Sequence, residues 1–177
     1  RSRAEDPPRR RLITGAPGVA LGWEPMYRLL FDLVLRRLDP EAAHHLGMVV
    51  IRAAGLPPFS WLARALTRPV ASLRTEALGL VFDSPFGIAA GFDKNAIGAR
   101  GLHALGFGHI EVGTVTAVAQ DGNPKPRLFR LPADRALINR MGFNNEGAAV
   151  VARRLERLRR RRSRPVLGAN IGKSRIV

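Results

Sequence analysis

Four short segments carry the residue types from which a site for a flat, polar ligand can be built. The first, AAGFDKN, sets Ala90, Gly91, Phe92, Asp93 and Lys94 in succession. Two small residues and a glycine let backbone approach a planar ring closely, and the Lys94 ammonium would set positive charge beside an electron-rich heterocycle. The second, EVGTV, presents the Thr114 hydroxyl, with Glu111 inside the same pattern. Glu111 is expected to face inward or to be ion-paired. The third, INRMGFNN, sets Asn139, Arg140, Asn144 and Asn145 around Met141, Gly142 and Phe143. Amide side chains offer donor and acceptor edges and arginine a donor fork, a set suited to a planar ligand bearing amide and carboxylate groups. Helix capping accounts for Asn144 or Asn145 but not for Asn139 or the Gly142–Phe143 pair. The fourth, GANIGK, carries Asn170 and Lys173, the latter expected in solvent.

Strand ends are needed to hold such segments. SPFGIAAG (84–91) reads as a short buried strand, and Asn95 to Leu105 as a helix closed by Gly106-Phe107-Gly108. HIEVGTV (109–115) is a second strand. Residues 116–138 are rich in Pro and Gly and contain a short hairpin around PRLFRLP. A long helix capped by Asn144 and Asn145 runs through Arg162, and PVLGANIG (165–172) is a third strand. This alternation predicts an α/β fold with parallel strands. Glycine-rich C-terminal ends on three such strands fit the N-terminal part of a (β/α)8 TIM barrel, whose active face is built from those ends. A whole barrel takes about 250 residues, so only about the first three strands are expected in residues 69–177.

Upstream, MYRLLFDLVLRRL opens a helical stretch at Met26. Asp39 as N-cap, Pro40 in the first turn and Glu41 as a first-turn acid start a second helix that stops at Gly55. FSWLARALTR (59–68) is a third. Leu29, Leu30, Phe31, Leu33, Val34 and Leu35 are apolar over more than one face, so 26–68 is expected to be a helical cap buried against the rest of the chain, or an amphipathic hairpin that lies on a membrane surface or admits a lipidic ligand. Residues 1–25 are expected to be poorly structured.

Composition narrows the chemistry. The chain has 177 residues and no cysteine, which excludes disulfides, zinc–thiolate sites, iron–sulfur clusters and cysteine nucleophiles; no metal site is expected. No apolar run reaches the ~18 residues of a membrane span. The net charge of +15 is concentrated: residues 1–12 carry +3 and residues 151–165 carry +7. Aromatic residues are only 6% and none interleave the arginine runs, which favours a solvated helix face over a nucleic-acid partner.

SPFGIAAGFDKN, GFGHIEVGTVT, GNPKPRLFRLP, INRMGFNN and VLGANIGK occur in the order and spacing of dihydroorotate dehydrogenase. The chain resembles that family from Met26 to Val177, about the first half of the family's length. The helical LDPEAAHHL segment resembles the quinone-linked, membrane-associated class (class 2). The resemblance implies oxidation of dihydroorotate to orotate, FMN as bound cofactor, a membrane quinone as acceptor, and a place in pyrimidine synthesis. It also implies a peripheral position on the cytoplasmic face of the cell membrane. By match to the motifs, Ala90, Gly91, Phe92, Asp93, Lys94, Thr114 and Asn170 would line the flavin. Lys94, Asn139, Arg140, Met141, Gly142 and Phe143 would hold dihydroorotate, and His44 and Arg130 would sit near the quinone head. Lys94, Thr114, Asn139 and Asn170 should then gather about one shared hollow.

The sequence departs from the family pattern at one point. The family's catalytic base is a Ser in an N-x-S-S-P-N-T-like motif on a later strand. No such motif occurs here, and Ser174 in GKSRI does not match it. The catalytic Ser is therefore expected beyond Val177, and the 177 residues are expected to be a truncated form, inactive alone and with an exposed sheet edge. The competing expectation is a non-catalytic module that binds membrane surfaces through the N-terminal helices and the arginine-rich helix.

Overall fold

The computed structural model describes residues 23–161 and 164–175. Residues 1–22, most of the stretch expected to be poorly structured, lie outside the described residues. The chain divides into two units, 1–37 and 38–177. In the first, helix α1 (Trp23–Leu30) begins three residues before Met26 and continues into a π-helical turn over Phe31–Leu35. The Tyr27 and Phe31 rings lie 6.3 Å apart along it.

In the second unit, α2 (Pro40–Ala54) starts as its sequence dictates. The Asp39 carboxylate accepts from the Glu41 and Ala42 N–H groups at 3.0 Å, with Pro40 in the first turn. Helix α3 (Phe59–Thr67) follows the Pro57-Pro58 break. No single helix among the described residues is long and apolar enough to cross a membrane; α2 and α3, meeting at 96°, reach that length only together.

Next comes a hairpin that the pattern of the sequence did not signal, β1 (Thr75–Ala77) with β2 (Leu80–Phe82). Its two turn residues, Leu78 and Gly79, both have positive φ. The geometry is that of a tight two-residue turn, but Leu in the first position hides the usual Asn-Gly or Asp-Gly signature.

Three parallel strands form the sheet, in the order β3 (Gly87–Ile88), β4 (His109–Val115), β7 (Val166–Ile171). Helix α4 (Ala99–Ala104) connects β3 to β4, and α5 (Ala148–Arg159) precedes β7. The expected excursion contains the antiparallel hairpin β5 (Leu128–Leu131) and β6 (Ala136–Asn139). Along β4, Ile110 and Val112 are fully buried against the helices, where they meet Ala99, Leu102, Val151 and Leu158. Each such side chain contributes about 1.5–3 kcal/mol by leaving water. His109 and Glu111 alternate onto the opposite face. Helix α2 seats on α4 at Gly101, where an added Cβ would lie 1.7 Å from the Ile51 carbonyl oxygen.

Three elements differ from their expected extents for identifiable reasons. The first strand shrinks to two residues because its flanks bond elsewhere: the Ser84 hydroxyl accepts from Phe86 N–H, Glu111 takes Ala90 N–H, and the Gly113 carbonyl takes Gly91 N–H. The helix after it starts at Ala99, not Asn95. The buried Asp93 carboxylate accepts from Ile97 and Gly98 N–H at 2.9 and 2.8 Å, which holds 94–98 as a loop. Helix α5 starts at Ala148 behind Gly147 with no side-chain cap, so neither Asn144 nor Asn145 caps it. Asn145 is instead buried, donating to the Thr116 hydroxyl and the Phe143 carbonyl and accepting from Thr116 and Gly147 N–H.

Candidate functional site

The first turns of α2, the loop after β3 and the β5–β6 hairpin enclose a cavity of about 490 Å3. Helix α2 contributes Glu41, His44 and Met48, the loop Ala90 through Lys94, and the hairpin Leu128, Arg130, Leu137 and Asn139; Met141 and Asn144 close the rim. Two groups of the expected residues therefore meet here: His44 and Arg130 share the hollow with Ala90, Gly91, Phe92, Asp93, Lys94, Asn139 and Met141.

Local chemistry fixes each side chain. The Lys94 ammonium donates to Asn144 Oδ1 at 2.5 Å. Burial pushes its pKa down from the usual lysine value, and the Arg127 charge pushes the same way against Glu41. The His44 ring stands edge-on to Phe92, centroids 5.1 Å apart. Burial, then the neighbouring His45 and Lys94, lower its pKa, so its neutral form is favoured. Arg130 Nη1 donates to the Leu38 carbonyl at 2.7 Å, tying β5 to the residue before the α2 cap. Asn139, at the end of β6, accepts from Met141 N–H at 3.0 Å. Asp93 reaches the hollow, but its carboxylate is occupied in shaping the loop that carries Lys94.

Thr114 and Asn170 do not line this cavity, contrary to expectation. They form a second polar cluster at the C-terminal ends of β4 and β7. Thr114 Oγ1 donates to Asn170 Oδ1 at 2.6 Å, and Asn170 Nδ2 donates to Glu111 Oε1 at 3.3 Å. The other Glu111 oxygen accepts from Ala90 N–H at 3.2 Å. Glu111 is thus an inward-facing carboxylate bridging two strand ends, and no ion pair involves it among the described residues. Through Ala90 the cluster adjoins the first cavity, because the strand ends β3, β4 and β7 lie side by side in the sheet. Arg140, Gly142 and Phe143 also stay outside the cavity. Gly142 has φ +74 and its backbone is pressed against Asn123, which donates to the Arg140 and Met141 carbonyls. The Phe143 ring is exposed.

Sequence reasoning missed the group that anchors the cavity. Glu41, read as a first-turn acid, forms a bidentate pair with Arg127 at 2.6 and 3.0 Å, both buried. Arg127 also donates to the Asp121 and Asn123 carbonyls. Glu41 and Arg127 carry no periodic or motif signal that joins them. Asn144, the Lys94 partner, was within the segment singled out, though as a cap.

A floor of Ala90 and Gly91, an ammonium beside it, and amide and hydroxyl groups at two neighbouring strand ends are what a planar, hydrogen-bonding heterocycle requires. Gly91 has φ +105, and a Cβ there would point into open space.

Residues 72–176 match the family model "Dihydroorotate dehydrogenase". The chain belongs to the dihydroorotate dehydrogenase family. It is 64% identical over 152 residues to a protein named dihydroorotate dehydrogenase (quinone) from Clavibacter michiganensis subsp. michiganensis, and 64% identical over 152 residues to one of the same name from Leifsonia xyli subsp. xyli. Each comparison covers 86% of this chain and 44% of the relative, so the chain spans under half the length of these relatives. Among solved structures it is similar to the dihydroorotate dehydrogenase of Eimeria tenella in complex with ferulenol. That match has 46% identity and a TM-score of 0.65, over 77% of this chain and 36% of the other. The ligand-free form of the same enzyme matches with 45% identity and a TM-score of 0.66. With these neighbours, the three parallel strands and their helices are a partial α/β barrel.

Proposed function

We propose that these residues form the helical cap and the flavin- and dihydroorotate-binding half of a quinone-linked dihydroorotate dehydrogenase. Residues 26–68 are the cap on the quinone and membrane side, and 69–177 are the barrel part. The reaction is oxidation of dihydroorotate to orotate in pyrimidine synthesis, with electrons passed to a membrane quinone. What carries this reading is the single hollow that joins His44 of the cap to Lys94, Arg130 and Asn139 of the barrel part.

The residues fit FMN: the side-chain-poor Ala90–Gly91 floor, the half-buried Lys94 cation, and the Thr114–Asn170 pair at adjoining strand ends. FMN held by these residues would supply the two-electron redox chemistry of the reaction. Phe92, Asp93 and the backbone around Gly91 hold the loop edge of that floor. Lys94 places positive charge where electron density accumulates and reaches the substrate's polar edge. Asn139 presents an amide to the planar substrate, and Arg140 with Met141, Gly142 and Phe143 completes the segment that holds it. His44, neutral, and Arg130, anchored on Leu38, supply a hydrogen-bonding ring and a donor fork for the quinone head. No residue of this chain is assigned as the base that removes the substrate proton, so the 177 residues alone are expected not to turn over.

Exposed apolar residues of the cap, among them Phe59, Trp61, Leu62 and Leu66, support peripheral attachment to a membrane, placed on the cytoplasmic face by the family resemblance alone. The test uses the full-length protein: dihydroorotate-dependent reduction of a short-chain quinone, with fumarate as the competing acceptor. Quinone reduction by a flavin-containing protein supports the proposal. A flavin-free protein, or one that oxidises dihydroorotate only with fumarate, overturns it.

A further inference from the structure

A second cavity of about 310 Å3 opens between α3, α4 and the turn after α5. It shares no residue with the first. Four arginines line it, Arg64 from α3, Arg100 from α4, and Arg161 and Arg164 from the turn, together with Ser60 and His103. No carboxylate is among the lining residues. Two hollows that share arginines with it hold acids: Asp83 with Arg64 and His103, and Glu156 with Arg159, Arg160 and Arg164.

We propose that this cavity binds a phosphate group. Four guanidinium groups from three parts of the chain converge on one space, Arg100 half-buried and Arg64, Arg161 and Arg164 exposed, and their summed positive potential favours an anion there. Among the described residues, no hydrogen bond or ion pair engages the side chains of Arg64, Arg100 or Arg161. Arg164 uses one nitrogen on the Arg159 carbonyl. Burial, then Arg161 and Arg64, push the Arg100 pKa down, the direction expected where cations converge without a counter-charge. Guanidinium forks match phosphate oxygens two at a time, which a solvated lysine cluster does not. The volume leaves room beyond a phosphate group for the rest of a phosphate ester, the occupant proposed here. It is either a soluble one or the headgroup of a membrane phospholipid, and Trp61 and Leu66 of α3, 76% and 75% exposed, stand on the same helix as Arg64.

The test measures inorganic phosphate binding to the full-length protein by calorimetry at constant ionic strength, for the unmodified protein and for Arg100→Gln, Arg161→Gln and, as a charge control, Arg74→Gln. Each of the first two substitutions is expected to weaken binding about tenfold, the loss of one charged hydrogen-bonding group, while Arg74→Gln leaves it unchanged. Arg100→Lys keeps the charge but loses the fork and is expected to fall between. A second arm measures sedimentation with phosphatidylcholine vesicles with and without phosphatidylglycerol. Vesicle binding that needs phosphatidylglycerol, is lost in the two variants and is displaced by phosphate assigns the lipid headgroup. Pocket-dependent phosphate binding with vesicle binding unaffected by the variants assigns a soluble phosphate ester. No phosphate binding by the unmodified protein, or equal weakening by Arg74→Gln, overturns the proposal.

Discussion

Glu41 and Arg127, 86 positions apart, face each other through two parallel hydrogen bonds, Arg127 Nη2 to Oε1 at 2.6 Å and Nε to Oε2 at 3.0 Å, with only 5% and 7% of the two residues exposed. The pair joins the first turn of α2 to the loop before β5, so it fixes both walls of the cavity that holds His44, Arg130 and Lys94. Lys125 adds a weaker contact at 3.5 Å. Removing one partner leaves the other charged and buried. Glu41→Ala is expected to cost about 3–5 kcal/mol in the unfolding free energy of the full-length protein, measured by denaturant titration. A double replacement by apolar residues of similar volume should recover much of that loss.

The same pair sets a pH dependence. Hydrogen bonding from Arg127 lowers the Glu41 pKa below 4.5, against the opposing effect of burial. A carboxyl depressed in the folded state contributes stability that is fully present above its unfolded value and is lost as pH falls through its folded value. Glu41→Gln should therefore lower stability at neutral pH and flatten the decline below about pH 4.5. Thermal midpoints over an acid pH series read this directly, and parallel curves for the two proteins would contradict it.

Gly101 sets how closely α2 approaches α4. A methyl group there meets the Ile51 carbonyl oxygen at 1.7 Å, a backbone atom that cannot rotate away. Gly101→Ala is expected to destabilise by about 1–3 kcal/mol through forced separation of the helices. The equivalent change at Gly47, where a Cβ meets nothing within 4 Å, should be neutral or stabilising. Denaturation midpoints of the two variants make the comparison.

In the proposed site Asn139 holds the substrate and not the flavin, so its removal separates the two. It lies at the end of β6 on the cavity wall, away from the Glu111–Asn170–Thr114 cluster. Asn139→Ala in the full-length enzyme is expected to raise the KM for dihydroorotate about tenfold with flavin content unchanged. Steady-state kinetics with flavin quantified on the same samples checks it.

Local rules made the elements legible and left their connections unread. The Asp39-Pro40 start of α2, the limits of β4 and the β5–β6 hairpin follow from capping and alternation, which act within a few residues. The shortened first strand and late start of α4 do not, because Glu111 and Asp93 side chains take backbone N–H groups that a pattern assigns to a strand or a helix. Asn145 has the sequence position of a cap, but its amide bonds to Thr116, 29 residues away. Ordered motifs brought out residues that line the cavity, Ala90 to Lys94, Asn139 and Met141, together with Arg140, Gly142 and Phe143, which lie outside it. That Thr114 and Asn170 satisfy one another beside that cavity depends on strand register, and the Glu41–Arg127 pair depends on tertiary approach alone.

The central claim is that the loop after β3 and the ends of β4 and β7 together hold the flavin. Its most direct measurement is flavin released per mole of folded full-length protein for Lys94→Ala and Asn170→Ala beside the unmodified enzyme. Both variants are predicted to retain the fold by circular dichroism and to lose most of their flavin and their dihydroorotate oxidation. Full flavin content with unchanged turnover in both would contradict it.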